Sequence, residues 1–538
     1  MGKTLVHTVP IDYVMIGIYF VFVLGIGFLL KKRTKTGEDF FLSGRSIPAW
    51  ITSLAFLSAN LGALEVLGMA ASGAQYGWMT THFYWVGAVP AMLFLGVYMM
   101  PFYYATKVRS VPEYLKLRYN EATRGFNAIS FAVMTILVSG ISLYSMGLIF
   151  QVLVGWSLTT SIFVSAVVVL IYVTMGGLTS SIFTEVIQFF LIWLGLLLIP
   201  VLGMVELGGW DQMVSRLPHG FAHVWSHMGT PDSNAMGIDW LGVMLGLGFV
   251  LSFGYWTTDF LVVQRALAAK NLRAAQNTPI YAAYFKMIVP FLVIIPGLMA
   301  VALIPDIGKA GGPSYNLALP LLMERYYPPG LMGLGLTAML ASFMSGMAGN
   351  ITAFTTVWTY DIYQAYIKKD ATDAHYVKVG RWAVVIGVIV SIGTAYIAAD
   401  FPSIMDYTQL LFSFFNAPLF ATFLFGMFWK RTTPWGGFWG LLAGTLAAVL
   451  LYVLIPEGYF ASDQAGNFWR AWWAWVVAAV VTVLVSLFTK PKPESELRGV
   501  VYGLTERVTY AGHAWYKRPG IQALMVCVVL VFLNILFW

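Results

Sequence analysis

Repeated apolar runs of membrane-spanning length are the feature that most limits how this chain can fold. Runs of about 17 or more predominantly apolar residues divide the sequence into fourteen candidate helices. Apolar residues fill 59% of the 538 positions and charged residues only 10%, which leaves too little polar surface for a soluble globule. The sequence therefore predicts an all-α polytopic membrane protein with about 14 transmembrane helices.

Basic residues concentrate in alternate loops between these runs. By our count one set of loops holds 25 of the 31 Lys and Arg residues, and the positive-inside rule makes that side cytoplasmic, with both termini on the outer side. The first apolar run, near Ile11, ends in KKRTK and is typical of a retained helix rather than a cleaved signal peptide. We expect a multi-pass protein of the plasma (inner) membrane whose +7 net charge reflects its loops and not a nucleic-acid partner.

The chain offers little for catalysis or for ATP-driven work. It contains no GxxxxGK[ST] phosphate loop, so ATP is not the expected energy source and an ion gradient remains. Its single cysteine, Cys527, allows no intrachain disulfide. His219, His223 and His227 recur at a spacing that lines one helical face and could bind a metal, but beyond Asp232 the sequence offers no evident acidic residue to support them. We expect no enzyme.

The apolar stretch at 51–73 is interrupted at its centre. Ser58, Asn60 and Gly62 fall within five residues of each other, and Glu65 follows within one helical turn. A carboxylate at membrane depth costs several kcal/mol unless it is paired or wetted. Transporters break helices at mid-membrane so that freed carbonyls coordinate a cation and helix ends face the substrate, and we interpret this stretch as one half of such a site. A helix kinked only for packing is the alternative.

A second interrupted run, at 238–264, lies five spans later and contains Ser252, Gly254 and Asp259. Corresponding interruptions in two halves indicate a binding site at the membrane midplane. We predict a core of two inverted five-helix repeats. The expected division is an N-terminal flanking helix at 1–46, a first repeat at 47–206, an outer loop at 207–237, a second repeat at 238–428 and C-terminal flanking helices at 429–538.

Lys286 is a cation inside a predicted span and needs a carboxylate or a cluster of carbonyls. Glu65 and Asp259 are its candidate partners. If one of them neutralises Lys286, the lysine is structural; if it is free, it suits an anionic or hydroxyl-rich substrate. Tyr255 and Trp256, in the second interrupted run, suit a stacking gate over a ring, and core aromatics are the alternative.

Ordered motifs along nearly the whole chain resemble those of the sodium:solute symporter family, which includes the sodium-glucose cotransporters. They are FFLSGRSIPAW, SANLGALEVLGM, VRSVPEYLKLRYN, GGLTSSIFTEVIQ, QRALAAKN, FKMIVPFLVIIPG, WTYDIY and FWKRTTPWGG. The resemblance implies a LeuT-like fold, fourteen helices and alternating access. The helix count above rests on the apolar runs alone.

The resemblance also implies a sodium site. The family's conserved site uses backbone oxygens at Ser58 and Leu61, a carbonyl at Ser342 and two adjacent hydroxyls, here at Ser345 and Gly346. Gly346 departs from the family because it supplies no hydroxyl. A hard cation in a dry site wants about five or more oxygens, so the loss weakens binding unless another group replaces it.

Glu185 occupies the acidic position after the GGL motif, where the family usually has Asp. We hypothesise that its longer side chain restores an oxygen to the cation site or takes a proton in place of sodium. In the alternative, Glu185 only pairs with a neighbouring hydroxyl.

Sugar-contacting positions of the sodium-glucose relatives fall on residues that match only in part. Trp85 stands where those relatives have a carboxylate, and Ser252 replaces an amide, which puts glucose itself in doubt because each unpaired buried polar group costs about 1 to 3 kcal/mol. His82 could replace the lost carboxylate, or act as a hydrogen-bonder between helices. The implied positions are Asn60, Glu65, Trp85, Ser252, Tyr255, Lys286 and Gln409.

Together these features predict a secondary active symporter that couples inward sodium movement to uptake of a small polar organic solute, a sugar, polyol or sugar acid. Gly346 and Glu185 motivate a rival, a proton-coupled or cation-independent carrier. A rival of another class is a solute-sensing, transporter-like receptor. Such receptors usually carry an added signalling domain, and the cytoplasmic segment at 490–520 is too short to be one.

Overall fold

The computed structural model describes residues 9–31, 36–401, 403–456, 458–505 and 514–538, which form helices joined mostly by short loops. Shorter helices between the long ones are Gly37–Leu42, Ser43–Arg45, Val111–Arg118, Trp210–Val214, Pro231–Ser233, Tyr315–Leu317, Ala318–Tyr326, Glu494–Leu497 and Trp515–Lys517. The principal helices are α1 (Pro10–Leu30), α2 (Ala49–Asn60), α3 (Leu64–Tyr76), α4 (Trp78–Ala105), α5 (Glu121–Ile149), α6 (Leu158–Ile171), α7 (Gly177–Leu207), α8 (Trp240–Thr258), α9 (Phe260–Leu267), α10 (Leu272–Leu303), α11 (Leu331–Ile367), α12 (Asp373–Ala399), α13 (Ile404–Phe428), α14 (Pro434–Leu454), α15 (Asp463–Phe488) and α16 (Pro519–Leu536).

The all-α class predicted from the apolar runs is confirmed. Among the described residues, 12 helices are long and apolar enough to cross a membrane, or 13 if the bent pair α2 and α3 counts as one span. The remaining predicted segment, 157–175, contains the shorter apolar helix α6. It joins α7 through a kink at Gly177, whose φ of 56° and close approach to the Phe40 carbonyl leave no room for a Cβ.

Both interrupted runs are broken helices. The axes of α2 and α3 meet at 60°, and Leu61 between them has the non-helical angles φ −73° and ψ 46°. In the second run, helix α8 ends before Asp259, whose φ of −70° and ψ of 121° are extended. The Asp259 carboxylate then caps α9 by accepting a hydrogen bond from the Leu261 amide at 2.9 Å. The breaks free backbone groups at the centre of the bundle.

Burial divides the long helices into a core and a periphery. In α11, 89% of the most apolar window is buried, compared with 17% in α1, 22% in α16, 28% in α14 and 33% in α15. These last four are the helices that the sequence assigns to the flanks. The boundaries of the two five-helix repeats stay a prediction.

The loop at 207–237 corrects one expectation. His219 and His227 lie in turns and His223 in irregular chain rather than on a helix. The ring of His227 nevertheless lies 4.9 Å from that of His219 and 5.5 Å from that of His223, centroid to centroid. Partial burial and these two neighbours lower the pKa of His227. In the described part of the chain, no group of three or more His, Cys, Asp or Glu side chains is arranged to hold a metal ion.

Candidate functional site

A cavity of about 70 Å³ lies beside the break between α2 and α3, at the centre of the bundle. Helices α3, α4, α8, α10 and α13 complete its wall, and most of its lining is apolar or aromatic. A mostly apolar pocket with a few convergent polar groups is the usual form of a small-molecule site. The polar residues of the lining are Asn60, Glu65, Tyr84, Ser252, Tyr255, Lys286, Thr408 and Gln409.

Lys286 is neutralised in this cavity by Glu65. Its Nζ lies 2.6 Å from Glu65 Oε1, with 1% of the lysine side chain and 13% of the glutamate side chain exposed. The Tyr84 hydroxyl donates to the other oxygen of the same carboxylate. The ammonium also lies 4.8 Å from the centre of the Trp256 ring and 5.0 Å from that of Tyr84. The partner that the sequence left open is therefore Glu65.

Asn60 extends this network across the cavity. Lys286 Nζ donates to Asn60 Oδ1 at 2.5 Å, and Asn60 Nδ2 donates to the Tyr255 hydroxyl at 2.8 Å. The Tyr255 ring stacks on Phe412 with 4.7 Å between centroids. One continuous set of hydrogen bonds thus ties the broken helix to α4, α8 and α10.

Three further polar side chains face the cavity with weaker engagement. Gln409 Nε2 has the Met405 sulfur as its acceptor at 3.8 Å, a weak partner for an amide. The Thr408 hydroxyl donates to the Ile404 carbonyl at 2.9 Å and keeps its acceptor capacity. Ser252 lies at the close approach of α8 to Gly87 of α4. These groups, with the Tyr255 hydroxyl, are suited to exchanging hydrogen bonds with a hydroxylated ligand.

Four residues implied by the resemblance as sodium ligands meet behind the break, and we call them the cation set: Ser58, Leu61, Ser342 and Ser345. Ser58 Oγ lies 3.2 Å from Ser345 Oγ, and Ser342 Oγ donates to the Leu61 carbonyl at 2.5 Å. All four are fully buried. Hydroxyl and carbonyl oxygens are the ligands that a hard cation prefers, so the chemistry of this set suits sodium, with one oxygen fewer than the family's set because of Gly346.

Gly346 faces the break itself. A Cβ at Gly346 would lie 3.1 Å from the Gly62 Cα, tighter than ordinary van der Waals contact. The missing side chain therefore lets helix α11 approach the backbone of the broken helix. The Gly346 carbonyl accepts a hydrogen bond from Asn350 Nδ2 at 3.0 Å.

The hydrogen bonds of Glu185 run to Arg265 and Ser181 rather than to the cation set. Arg265 Nη2 lies 2.5 Å from Glu185 Oε1, Arg265 Nε lies 3.3 Å from Oε2, and Ser181 Oγ donates to Oε1 at 2.7 Å. The two charged side chains are 0% and 1% exposed. The alternative, in which Glu185 pairs with a neighbouring hydroxyl, agrees with the Ser181 contact, and Arg265 is a further partner that the sequence did not indicate.

The placements of His82 and Trp85 need correction, because neither lines the central cavity. Trp85 Nε1 donates to the Met287 carbonyl at 3.1 Å, and His82 Nε2 lies 2.9 Å from the Val224 carbonyl. Helix α4 winds as a π-helix from Phe83 to Ala88, which shifts the phase of its faces. Tyr84 therefore takes the place at the cavity that the sequence analysis gave to its neighbours.

The other predicted cavity residues lie where they were expected, and some contributors were missed. Asp259, the rival partner for Lys286, caps α9 and borders a smaller adjoining cavity of about 30 Å³. Tyr84 and Trp256 were missed as partners of the lysine, although Trp256 was expected beside Tyr255 as part of the gate. The run of aromatic residues at 83–85 is a sequence signal for Tyr84.

The broken helices, the central polar cavity and the oxygen-lined set behind it define a helical membrane transporter. The chain belongs to the sodium:solute symporter family, whose profile matches residues 40–444. This is a family of transporters and not of enzymes.

Several relatives are similar over most of their length. A sodium/glucose cotransporter of Vibrio parahaemolyticus is 29% identical over 98% of both chains. Sodium/glucose cotransporter 4 of Mus musculus is 30% identical over 90% of this chain and 76% of its own length. The sodium/myo-inositol cotransporter of Mus musculus is 28% identical over 91% of this chain and 75% of its own.

A solved structure confirms the expected LeuT-like fold class. The outward-open, substrate-bound structure of a Na⁺-coupled sialic acid symporter superimposes with a TM-score of 0.75 and 21% sequence identity, over 89% of this chain and 98% of that one. At this identity the likeness concerns the fold alone.

Proposed function

We propose that this protein is a sodium-coupled symporter for an uncharged, polyhydroxylated solute, a sugar or a polyol. The observation that carries the proposal is the Lys286–Glu65 pair, which leaves the central cavity with two opposite charges 2.6 Å apart and no net charge. Of the solute classes expected from the sequence, sugars and polyols match such a cavity and sugar acids do not.

A carboxylate solute is disfavoured on electrostatic grounds. To reach Lys286 it would lie beside Glu65, and two carboxylates sharing one cation at low dielectric repel each other. A hydroxylated solute can instead donate to Glu65 and accept from Lys286 without separating them. The sodium/glucose and sodium/myo-inositol relatives support this solute class.

The cavity offers a hydroxylated ring both polar and apolar contacts. Asn60, Ser252 and Gln409 supply donors and acceptors on different walls. The stacked rings of Tyr255 and Phe412 supply an apolar face and suit the gate expected at Tyr255.

Two adjacent residues at the break between α2 and α3 contact the two proposed ligands, the solute and the cation. Their adjacency gives a physical basis for coupling the binding of one ligand to that of the other. Asn60 faces the solute cavity, and the carbonyl of Leu61, the next residue, belongs to the cation set. Sodium held by Leu61, Ser342 and Ser345 would fix the backbone that positions Asn60. Solute and cation then each strengthen the binding of the other, as thermodynamic linkage requires.

Sodium is the coupling ion that these contacts favour. The proton alternative rested on Gly346 and Glu185, and the Glu185 carboxylate is held by Arg265 and Ser181. The orientation follows from the basic loops: we propose a plasma (inner) membrane protein with both termini on the outer side and inward solute movement by alternating access.

The test is uptake into proteoliposomes of labelled sugars, polyols and sugar acids, under an inward sodium gradient or an inward proton gradient at matched membrane potential. The proposal predicts sodium-driven accumulation of at least one uncharged solute and none of the acids. Accumulation driven by protons alone would contradict the choice of cation, and accumulation of acids alone would contradict the choice of solute.

A further inference from the structure

A second, larger cavity of about 960 Å³ lies on the other side of two helices that wall the central cavity. Four tryptophans line it: Trp85 of α4, Trp240 of α8, Trp225 of the loop at 207–237 and Trp538 beyond α16. Every lining side chain is uncharged, and the polar ones are Ser226 and Asn534 besides the indole groups. This cavity is distinct from both the solute cavity and the cation set.

Helices α4 and α8 present opposite faces to the two cavities. In α4, Tyr84 faces the central cavity while Trp85 faces the apolar one. In α8, Ser252 faces the central cavity while Met244 and Phe249 face the apolar one. The wall between the cavities is therefore one helix thick, and it winds as a π-helix over Phe83–Ala88 and Val243–Ser252.

The loop and the end of α16 hold each other to form one side of the apolar cavity. The Val224 amide donates to the Phe537 carbonyl at 3.1 Å, and Trp225 Nε1 donates to Asn534 Oδ1 at 2.9 Å. The Trp225 and Trp538 rings stack with 6.0 Å between centroids. The cavity is thus built by specific contacts rather than left by loose packing.

The opposite side is open to the outer surface of the helical bundle. Val531 and Ile535, on the cavity side of α16, are 58% and 66% exposed, and Trp240 of α8 is 53% exposed. These residues continue the apolar outer face of α16, where Val528 is 63% exposed. In a membrane-spanning bundle such a face contacts lipid, and tryptophans are typical of the membrane–water interface.

We propose that this cavity is a binding site for one acyl chain of a bilayer lipid. A polar or charged ligand would lose its hydration against apolar walls that offer few partners. An aliphatic chain entering from the open side matches the apolar walls and the direction of access.

Photo-crosslinking tests the proposal without reference to transport. The purified full-length protein is placed in phosphatidylcholine vesicles that contain a phosphatidylcholine with a diazirine at the end of one acyl chain. Labelled residues are then mapped by peptide mass spectrometry. We expect labelling to concentrate on cavity residues such as Met244 and Leu530 and to fall at least threefold in Val531→Trp, whose side chain fills the open side.

The matched control is Val528→Trp, which adds the same side chain to the lipid-facing part of α16 outside the cavity. If Val531→Trp does not fold, Ile535→Trp fills the same opening, with Leu536→Trp as its control. Labelling spread evenly over lipid-facing residues such as Val205 and Leu454, or unchanged by the filling variants, would overturn the proposal. The labelling measures lipid contact and therefore does not depend on the proposed function. Any change in uptake by the filling variants could be interpreted only if the proposed function is correct.

Discussion

The Lys286–Glu65 and Arg265–Glu185 pairs both lie within the helical bundle, but they are built for different purposes. Arg265 and Glu185 are almost completely excluded from solvent, and the guanidinium also donates to the Leu261 carbonyl at 3.0 Å and to Gln264 Oε1 at 3.2 Å. Lys286 and Glu65 border a cavity, and 13% of the glutamate side chain is exposed. The protein closes the Arg265–Glu185 pair on all sides, whereas the Lys286–Glu65 pair opens onto the central cavity.

The two pairs differ in how many of the cation's N–H donors are engaged by acceptors of the protein. An ammonium has three protons, and protein acceptors at Glu65 and Asn60 engage two of those of Lys286. The guanidinium of Arg265 is surrounded by acceptors from α7, α9 and α11. A buried ion pair therefore indicates a ligand site when its donors are incompletely engaged and a cavity lies beside it.

The largest expected effect is a loss of stability when the Arg265–Glu185 pair is broken. Glu185→Gln leaves Arg265 charged and without a countercharge, and breaking a fully buried pair typically costs about 3–5 kcal/mol. We expect a large fall in the melting temperature of the purified protein in detergent. The double substitution Glu185→Gln with Arg265→Met should recover much of the loss because it leaves no buried charge.

The same variant distinguishes a structural role of Glu185 from a role in cation binding. If Glu185→Gln folds at low temperature, the sodium concentration for half-maximal uptake should match that of the wild type. A stable variant with an altered sodium dependence would contradict the purely structural role of Glu185 and indicate that it contributes to cation binding.

Glu65→Gln should act on the solute more than on stability, because Lys286 keeps access to the cavity. Loss of the charge-assisted bond, worth about 1.5–3 kcal/mol, should weaken the binding of an uncharged solute by tenfold or more. Binding of the solute to the purified protein by calorimetry measures this effect. Glu113→Gln, at a partly exposed pair with Arg109 outside the cavity, is the control that should leave the affinity unchanged.

Ser345→Ala should weaken sodium binding and leave the two ion pairs intact. Removing one hydroxyl of the cation set, worth about 1 kcal/mol, should raise the half-maximal sodium concentration several-fold to tenfold. Uptake at saturating sodium should change less. Ser139→Ala is the matched control, since that buried hydroxyl donates to the Thr135 carbonyl of its own helix. Equal effects of the two variants would contradict the assignment.

The smallest effect is expected at Trp85. Trp85→Phe removes the hydrogen bond to the Met287 carbonyl and should cost about 1 kcal/mol of stability, with solute affinity within about twofold of the wild type. Tyr84→Phe, one residue earlier, removes a donor to Glu65 and should weaken the solute more. A larger loss of solute affinity in Trp85→Phe than in Tyr84→Phe would indicate that Trp85, and not Tyr84, contacts the solute.

Much of this architecture could be predicted from the sequence because lipid imposes strong rules. The apolar runs predicted the helices, and the polar interruptions at Asn60 and Asp259 marked both breaks. Asn60, Lys286 and Gln409 were also expected at the central cavity, where the structure places them.

What the sequence could not predict depends on helix phase and on packing between distant segments. A π-helical turn at Phe83–Ala88 rotates α4 so that Tyr84 reaches the cavity and Trp85 does not. Arg265 meets Glu185 from 80 positions away, and no local pattern reports such a contact. The spacing of the three histidines in the outer loop matched one face of a helix, but this segment folds into turns and irregular chain.

The most direct test of the account compares a polyol with the sugar acid of the same carbon skeleton, in sodium-driven uptake by the wild type and by Glu65→Gln. The account predicts that the wild type accumulates the polyol and excludes the acid. In Glu65→Gln, where Lys286 is unpaired, the preference should shift towards the acid. Preference of the wild type for the acid, or an unchanged preference in a folded Glu65→Gln, would contradict the claim that a neutralised lysine selects an uncharged solute.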